Sequence, residues 1–241
     1  MSKQEIPRAA LINNYPEGKG SERLRRLKAS IESFPATVQT FRYNDIPMDK
    51  VRGGEFDCLI LSGSNLNVSN LTDRKKMDSE INQLKEIEIP VLAICFGLHL
   101  AVHAYGGRIE RNDNSGEFCT PYGKEIVIEI QYDPERLICC PKVHVNVNHK
   151  DYVPPDDPQL LESFQVRSVS TDKDKRYLQY AKHKEKAIFC VQYHPESFDS
   201  ATPIVQETGS RIIHNFLNIV QEALGLGLAI KHFIKQEKCH P

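Results

Sequence analysis

The sequence has no tryptophan, almost no net charge and no apolar run long enough to cross a membrane. Its formal net charge is −1 over 241 residues, so it has neither the basic excess of a nucleic-acid-binding chain nor an acidic tail. The longest apolar segment, 91–107, is interrupted by His99 and His103 and is shorter than a membrane span. We therefore expect no nucleic-acid partner and no insertion into a membrane.

The seven cysteines show no regular spacing. There is no Cys-x-x-Cys pair, Cys139 and Cys140 are adjacent, and the others are scattered. An odd and irregular set is neither the framework of a disulfide-stabilised secreted protein nor a zinc module. The polar N-terminal residues 1–10 do not have the pattern of a signal peptide. Together these features favour a reducing compartment, and we expect the protein to be cytoplasmic.

The first half of the chain alternates strand and helix patterns. With 40% hydrophobic and 26% charged residues, the chain has the composition of a globular protein, and its length fits a single domain, 1–241. The patterns predict strands at 9–13, 37–43, 56–61 and 91–94 and helices at 22–34, 73–88 and 98–105. Such alternation is typical of a parallel sheet covered on both faces.

The second half is richer in strands. Alternating patterns predict strands at 125–131, 143–148, 166–170, 177–181 and 187–193. A last helix is predicted after Thr202, a residue type that caps helices, with Pro203 at its first position. We expect an α/β fold, with an open, mostly parallel central sheet, helices on both faces and a smaller strand-rich second half. Residues 223–241 are expected to form a C-terminal tail with a short, frayed helix.

Cys95 is the first candidate for a reactive residue. It follows the apolar run 91–94 directly and precedes a helix, and Gly97 allows the backbone to pack closely at this turn. A strand, a nucleophile and a helix in this order expose the side chain above the sheet, as in the nucleophile elbow of hydrolases. The helix N-terminus also stabilises a nearby anion. The alternative is a buried core cysteine with no reactivity, so the interpretation depends on its partners.

His194 is the candidate partner of this thiol. The segment "CVQYHPESF", 190–198, places it after a predicted strand, next to Pro195 and two residues before Glu196. A nucleophilic thiol needs a base that accepts its proton, and that imidazole needs a carboxylate on its other nitrogen. A His-Pro-Glu turn beside the Cys95 strand supplies both groups. Taken alone, His194 could equally be a structural histidine.

Four segments, in this order along the chain, resemble one known family. They are "LILSGSN" at 59–65, "AICFGLHLAVHAYGG" at 93–107, "NHKDYV" at 148–153 and "VQYHPES" at 191–197, followed by "GSRIIHNFL" at 209–217. The chain resembles the class I, or triad, glutamine amidotransferases, and in motif style the glutaminase domain of GMP synthetases. The resemblance covers about residues 8–222 and implies a flavodoxin-like fold.

The resemblance implies a catalytic role for each matched residue. Cys95 is expected to attack the side-chain amide of glutamine and to form a thioester, His194 to move the proton, and Glu196 to orient His194. The oxyanion hole is expected to consist of backbone N–H groups of Phe96, Gly63 and Ser64. The substrate is expected to contact His99, Asn148, His149, Lys150 and Asp151. No cofactor and no metal are implied.

Three positions depart from the family pattern. Ser64-Asn65 replaces the usual Gly-Pro after the oxyanion glycine, Lys150 replaces a glycine of the substrate loop, and His99 replaces a glutamine. Because residues four apart share a helix face, His99 is expected to face the same pocket as Cys95. We hypothesise an altered pocket, either with pH-sensitive binding or for a γ-glutamyl compound other than glutamine. The alternative is tolerated variation at His99 without effect.

Three functions remain open at this stage. The first is a glutaminase that supplies ammonia to a separate synthase subunit. The second is a stand-alone hydrolase of γ-glutamyl amides or peptides with the same three residues, and the third is a domain kept for binding or regulation. A metal pair of Cys95 and His99 lacks further ligands. The "EGKGS" segment, 17–21, lacks the spacing of a phosphate-binding loop and is interpreted as a connection.

Overall fold

The computed structural model describes residues 5–17, 19–43, 45–112, 124–172, 174–196 and 202–226. Its strands are β1 (Arg8–Asn13), β2 (Thr37–Arg42), β3 (Cys58–Leu61), β4 (Val91–Ile94), β5 (Glu110–Arg111), β6 (Lys124–Glu129), β7 (Lys142–Val147), β8 (Asp151–Tyr152), β9 (Phe164–Asp172), β10 (Lys175–His183) and β11 (Ile188–Val191). Its helices are α1 (Ser21–Glu32), α2 (Met48–Arg52), α3 (Leu71–Lys75), α4 (Asp78–Leu84), α5 (Phe96–Ala104), α6 (Pro158–Ser163) and α7 (Pro203–Gly225). The tail helix predicted beyond Gly225 lies outside the described residues.

A seven-stranded sheet in the order β2-β1-β3-β4-β11-β10-β9 forms the centre of the fold. Strands β2, β1, β3, β4 and β11 run parallel, whereas β10 and β9 are antiparallel to their neighbours. The predicted fold class, an open and mostly parallel sheet, is therefore confirmed. Strands β4 and β11 are adjacent, and Ile94 pairs with Val191 at their carboxyl ends. Whatever follows these two residues must meet at one edge of the sheet.

The sheet separates two hydrophobic layers. In β1, Ala9 and Leu11 belong to one buried cluster and Ala10 and Ile12 to the other, because successive side chains of a strand point to opposite faces. Helices α1 and α7 cover the first face, and α4 and α5 cover the second. Burial on both faces explains why the central strands are continuous apolar runs.

The second half adds three strands to this sheet and forms two ribbons beside it. Strands β6 and β7 pair with each other, and β7 packs against α7. The short ribbon of β5 and β8 pairs Arg111 with Asp151. Through these ribbons, residues of the second half reach the edge of the sheet where β4 and β11 end.

The single helix predicted at 73–88 is wrong. The segment forms two short helices, α3 and α4, separated at Met77. The amides of Lys76 and Met77 bond to carbonyls three residues back, at Asp73 and Arg74, which tightens the turn and redirects the chain. Met77 is fully buried as a result.

Among the helices that the structure describes, none is both long and apolar enough to span a membrane.

Candidate active site

The backbone at Cys95 is strained, and this strain presents the thiol. Cys95 lies between β4 and α5 with φ 50° and ψ −101°, a left-handed conformation that costs a non-glycine residue on the order of 1–3 kcal/mol. Its N–H donates to the carbonyl of Val191 at 2.7 Å, and its carbonyl accepts from the N–H of His99 at 3.1 Å. These bonds hold the sharp turn that a nucleophile elbow requires.

Gly97 allows the first turn of α5 to lie against β3. A Cβ atom at Gly97 would stand 2.7 Å from the Cβ of Leu61 and 2.9 Å from its carbonyl oxygen, closer than atoms pack without rearrangement. The expectation that Gly97 permits close backbone packing agrees with this geometry. The glycine therefore fixes the height of the Cys95 turn above the sheet.

The imidazole of His194 is held by the carboxylate of Glu196. Its Nδ1 bonds to Oε1 of Glu196 at 2.8 Å, and both side chains are almost fully buried. Because the carboxylate only accepts, Nδ1 carries the proton and donates, which leaves Nε2 for another partner. The Cys95 thiol lines the same cavity as this ring and is among the groups that raise the pKa of His194.

The electrostatics of this group favour a charged imidazole. Burial lowers the pKa of His194, but the nearby charges and hydrogen bonds of Cys95 and Glu196 outweigh it and raise the pKa to about 9. For Glu196, burial raises the pKa, but the charge and hydrogen bond of the imidazole oppose it, and the net direction of the pKa is down. The pair is therefore arranged to keep a proton on the ring and a negative charge on the carboxylate.

Two backbone contacts fix the loop that carries His194. Its N–H donates to the carbonyl of Asn146, a residue of β7, at 3.0 Å. On the other side, a Cβ at Gly209 of α7 would lie 2.1 Å from the carbonyl oxygen of Pro195. Gly209 begins the "GSRIIHNFL" segment, so this segment of the motif has a structural role in bringing α7 close to the His-Pro-Glu turn.

The turn after β3 lies on the other side of His194. Asn14, at the end of β1, ties it down: its N–H donates to Oγ of Ser62 at 3.0 Å, its Nδ2 donates to the Ser62 carbonyl at 3.1 Å, and its carbonyl accepts from Oγ of Ser64 at 2.7 Å. A Cβ at Gly63 would lie 2.8 Å from Cε1 of His194. The predicted oxyanion turn is thus in contact with the imidazole.

The predicted site residues surround one cavity of about 480 Å³. Those that line it are Ser64, Cys95, Phe96, His99, Asn148, His149, Lys150, Asp151 and His194. Glu196 stands behind His194 rather than in the wall, and Gly63 packs against the same ring. Within the described part of the chain, no group of three or more His, Cys, Asp or Glu residues is placed to hold a metal ion.

In the substrate loop, a ring nitrogen of His149 has no hydrogen-bond partner among the described residues, whereas the carboxylate of Asp151 is hydrogen-bonded. Nδ1 of His149 donates to the carbonyl of Asp151 at 2.9 Å, and burial, helped by the charges of His99 and His194, lowers its pKa to about 3. Its Nε2 is therefore a buried acceptor, with no hydrogen-bond partner among the described residues. The carboxylate of Asp151 instead accepts from the N–H of Ser69 at 2.9 Å and from its Oγ at 2.6 Å.

His99 lines the cavity as expected, but its Nε2 is used elsewhere. Nε2 bonds to Oε1 of Gln192 at 2.8 Å, and Nε2 of Gln192 donates to Sγ of Cys95 at 3.7 Å. Burial lowers the pKa of His99, and the charge of His194 lowers it further. The charge of Asp151 and the bond to Gln192 oppose this, but the net direction of the pKa is down. The lowered pKa favours the neutral form of His99, which is linked to the nucleophile through Gln192.

Four residues of the site are not indicated by the sequence motifs alone. Arg111 and the "EGKGS" neighbours Tyr15 and Arg23 line the cavity, and Gln192 touches the Cys95 sulfur. Burial and the charge of Glu196 raise the pKa of Tyr15, although a bond to Arg23 opposes them. Gln192 lies within the "VQYHPES" motif, so the sequence indicated that it is near the site but not that it contacts Cys95. Tyr15 and Arg23 lie beside a segment interpreted as a connection, where no pattern indicates a role.

The chain is similar to known proteins in sequence. The family profile described as glutamine amidotransferase class-I matches residues 20–219. The chain is 34% identical over 143 residues to a subunit of the glutamine-hydrolysing GMP synthase of Methanobrevibacter smithii, covering 58% of this chain and 64% of that protein. It is 24% identical over 211 residues to the corresponding subunit of Methanothermobacter thermautotrophicus, covering 87% of this chain and 96% of that one.

Longer relatives and solved structures agree with these matches. The chain is 34% identical over 171 residues to the glutamine-hydrolysing GMP synthase of Thermotoga maritima, covering 71% of this chain and only 29% of that protein. A GMP synthase subunit from Thermoplasma acidophilum has the same fold, with a TM-score of 0.70, 18% identity and coverage of 93% and 99% of the two chains. Because the family profile covers most of its length, the chain belongs to the class I glutamine amidotransferase family.

Proposed function

We propose that this protein is a glutaminase that hydrolyses the side-chain amide of glutamine to glutamate and ammonia. The observation that carries the proposal is the arrangement of His194, whose Nδ1 bonds to Glu196 at 2.8 Å and whose ring lines the same cavity as the Cys95 thiol. A nucleophile, a base and an orienting carboxylate in this order are the parts of a triad hydrolase.

In the first half of the reaction, Sγ of Cys95 attacks the amide carbon of glutamine. The thiol proton passes to Nε2 of His194, which then gives it to the departing nitrogen, so that ammonia leaves and a γ-glutamyl thioester remains. Glu196 keeps the other ring proton on Nδ1 throughout. In the second half, His194 takes a proton from the water that attacks the thioester; the C–S bond breaks, glutamate is released, and the proton returns from His194 to the Cys95 sulfur.

Negative charge develops on the γ-carbonyl oxygen in both halves, first of the amide and then of the thioester. The proposed donors are the backbone N–H of Phe96, at the N-terminus of α5, and an N–H of Gly63 or Ser64. Loss of one such donor costs about 3 kcal/mol of transition-state stabilisation in comparable hydrolases. The ties between Asn14 and the turn at Ser62–Ser64 support this role, because donors must be held rigidly to stabilise a charge.

The other wall of the cavity is suited to the amino-acid end of glutamine. The buried Nε2 of His149 accepts only, and an ammonium group is a donor only, so His149 is proposed to bind the α-ammonium. Lys150 and Arg111 also line the cavity, and although Arg111 already pairs with Asp151 at 3.7 Å, both cations are proposed to attract the α-carboxylate. Asp151 and Asn148 complete the loop, with Asp151 acting mainly by holding Ser69 in place.

We further propose that the ammonia is used by a separate synthase. The Methanothermobacter thermautotrophicus relative, which is matched over almost its whole length, is named as one subunit of GMP synthase, whereas the Thermotoga maritima relative is a longer single chain. Ammonia released into water is protonated and lost, so a glutaminase gains by acting next to its consumer. A cytoplasmic location is part of this proposal.

A second candidate function is the hydrolysis of γ-glutamyl peptides. The lining of the cavity of about 480 Å³ includes His194, Tyr15 and residues 20–23. His194 protonates the leaving group, so this side of the cavity is where an amine larger than ammonia would lie. Arg23 on this wall carries a positive charge that complements the carboxylate of a departing amino acid.

The test is a comparison of substrates with the purified protein. Wild type and Cys95→Ala are incubated with glutamine and with γ-glutamyl dipeptides, and glutamate and ammonia are measured. In parallel, a glutamine-derived diazoketone is used to label the protein, and the labelled peptide is identified. We expect labelling at Cys95 that glutamine prevents, and glutamate from glutamine in wild type only.

Each other outcome has a defined meaning. Faster glutamate release from γ-glutamyl dipeptides than from glutamine favours the second candidate over the first. Absence of both labelling and turnover contradicts both, and favours a domain kept for binding. Turnover in Cys95→Ala equal to that of wild type contradicts the proposed mechanism.

A further inference from the structure

Gln192 lies beside the nucleophile because of the strand register. Ile94 of β4 is paired with Val191 of β11, so the next residues of the two strands, Cys95 and Gln192, come side by side. The Gln192 side chain is fully buried, and its backbone N–H is bound to the carbonyl of Gln179 at 3.0 Å. Its Nε2 donates to the Cys95 sulfur at 3.7 Å. Backbone and side chain are thus both fixed.

The orientation of this carboxamide decides what the sulfur meets. One end of the amide is a donor and the other an acceptor, and only the donor end stabilises a negatively charged sulfur. Reversed, the amide would place its oxygen against the thiolate and destabilise it. The side chain alone does not choose between the two orientations.

His99 makes this choice. Its Nε2 lies 2.8 Å from Oε1 of Gln192, and an oxygen of a carboxamide only accepts, so Nε2 carries a proton and donates. A neutral imidazole with its proton on this nitrogen cannot accept there, and a reversed amide would set donor against donor. With its proton on Nε2, the histidine holds the amide in this orientation.

The geometry points to Gln192 as a further catalytic residue that donates a hydrogen bond to the Cys95 sulfur, with His99 as the positioning residue that fixes its orientation. The inference rests on Cys95 being the nucleophile of the proposed function. Gln192 gives up no proton; the thiol proton still goes to His194. Its hydrogen bond stabilises the thiolate before attack and again when the thioester is cleaved and the sulfur leaves.

The first experiment measures the reactivity of the thiol itself. Gln192→Met keeps the size of the side chain and removes the donor. The matched control is Gln179→Met, because Gln179 is also fully buried and donates to Ser170 at 2.9 Å rather than to the nucleophile. Alkylation by iodoacetamide is followed at the Cys95 peptide by mass spectrometry across a series of pH values, with thermal unfolding as a check of folding.

We expect Gln192→Met to slow alkylation of Cys95 near neutral pH by about tenfold or more, the size of a lost hydrogen bond to a charged group. The midpoint of the rate against pH should move to higher pH. Gln179→Met should leave the profile at its wild-type position. A Gln192→Met profile that matches wild type, in a folded protein, overturns the inference.

The second experiment separates the part of His99. His99→Phe removes the ring donor, and His99→Gln keeps a donor of similar reach. Alkylation should be slowed by His99→Phe, less than by Gln192→Met, and should be restored by His99→Gln to within about twofold of wild type. If folded His99→Phe has the wild-type dependence of alkylation rate on pH, His99 is not the residue that positions Gln192. Iodoacetamide needs no glutamine, so a failure of the proposed glutaminase activity would appear separately, as altered alkylation without turnover.

Discussion

Two neighbouring strands deliver the two reactive groups of this site in different ways. Cys95 follows β4 directly, and its position is set by backbone: a left-handed residue, a hydrogen bond to Val191 and a glycine that lets α5 approach β3. His194 comes three residues after β11; backbone contacts hold its loop, and the hydrogen bond to Glu196 holds its ring. The nucleophile is thus positioned by its backbone, whereas the base is positioned through its side chain as well.

This difference predicts different sensitivities on the two sides. Changes of shape near Cys95 should misplace the nucleophile, and changes of charge near His194 should alter its proton. Variants that remove the reacting groups test the whole arrangement, and conservative variants test each side alone.

The largest effect is expected from removal of either reacting group. Cys95→Ala and His194→Ala should each lower kcat for glutamine hydrolysis by at least about 10³-fold, because nucleophile and base act as one unit. Cys139→Ala is the matched control, since Cys139 is exposed and should leave kcat unchanged. Glutamate release measures the effect. A kcat of Cys95→Ala within tenfold of the wild-type value would show that Cys95 is not the nucleophile.

The next effect tests the base side alone. Glu196→Gln replaces an acceptor with a group that can donate to Nδ1, which favours a proton on Nε2, where the thiol proton should be received. We expect kcat to fall by about 10²-fold or more, with little change in KM. Glu207→Gln, at an exposed glutamate paired with Arg211, serves as the control. An unchanged kcat in Glu196→Gln would show that Glu196 does not orient the base.

A smaller effect tests the nucleophile side alone. Gly97→Ala puts a methyl group 2.7 Å from the Cβ of Leu61, so α5 must shift. We expect the free energy of unfolding to fall by roughly 1–3 kcal/mol and kcat to fall with it. Gly225→Ala is the control, because a Cβ there meets nothing within 4 Å. Chemical denaturation and kinetics measure both; equal stability of the two variants would mean that the turn is not sterically fixed.

The smallest effect is a dependence of stability on pH. The pKa of His194, about 9, lies above the ordinary histidine value of 6.5. His194 therefore contributes stability that is complete below about pH 6.5 and is lost as the pH rises through about 9. The pKa of Glu196 is lowered, so this residue stabilises the fold at pH values above the ordinary pKa of a glutamate. That stabilisation is lost as the pH falls through the lowered pKa. Cys95→Ala removes the largest attraction on the ring, so its stability should decline less between about pH 6.5 and about pH 9. Denaturant titrations at several pH values measure the difference; parallel curves for the two proteins would contradict the assigned charge interaction.

The sequence predicted what depends on local pattern. The run 91–94 with its following helix, and the "VQYHPES" turn, have apolar continuity, Gly97 and Pro195 as signals, and the structure brings their side chains together. The helix at 73–88 failed because its periodicity continues through Met77, whereas the backbone tightens there. Periodicity indicates which residues are buried more reliably than where a helix ends.

Contacts across the sheet could not be predicted in the same way. The bond between Gln192 and Cys95 depends on the register of β4 and β11, which no local pattern specifies. His99 was correctly placed on the cavity side of α5, but its use as a donor to Gln192 depends on that same register. Tyr15 reaches the site because Gly20 and Gly63 leave room for its ring and hydroxyl, a packing relation among three separate segments.

The most direct test of the account is the capture of the covalent intermediate. Wild-type protein is mixed with glutamine, quenched in acid within one turnover and digested, and the Cys95 peptide is examined by mass spectrometry. We expect the mass of one glutamyl group on Cys95 in wild type, and none when His194 is replaced by alanine. Glutamate release by wild type with no adduct on Cys95, or with the adduct on another residue, would contradict it.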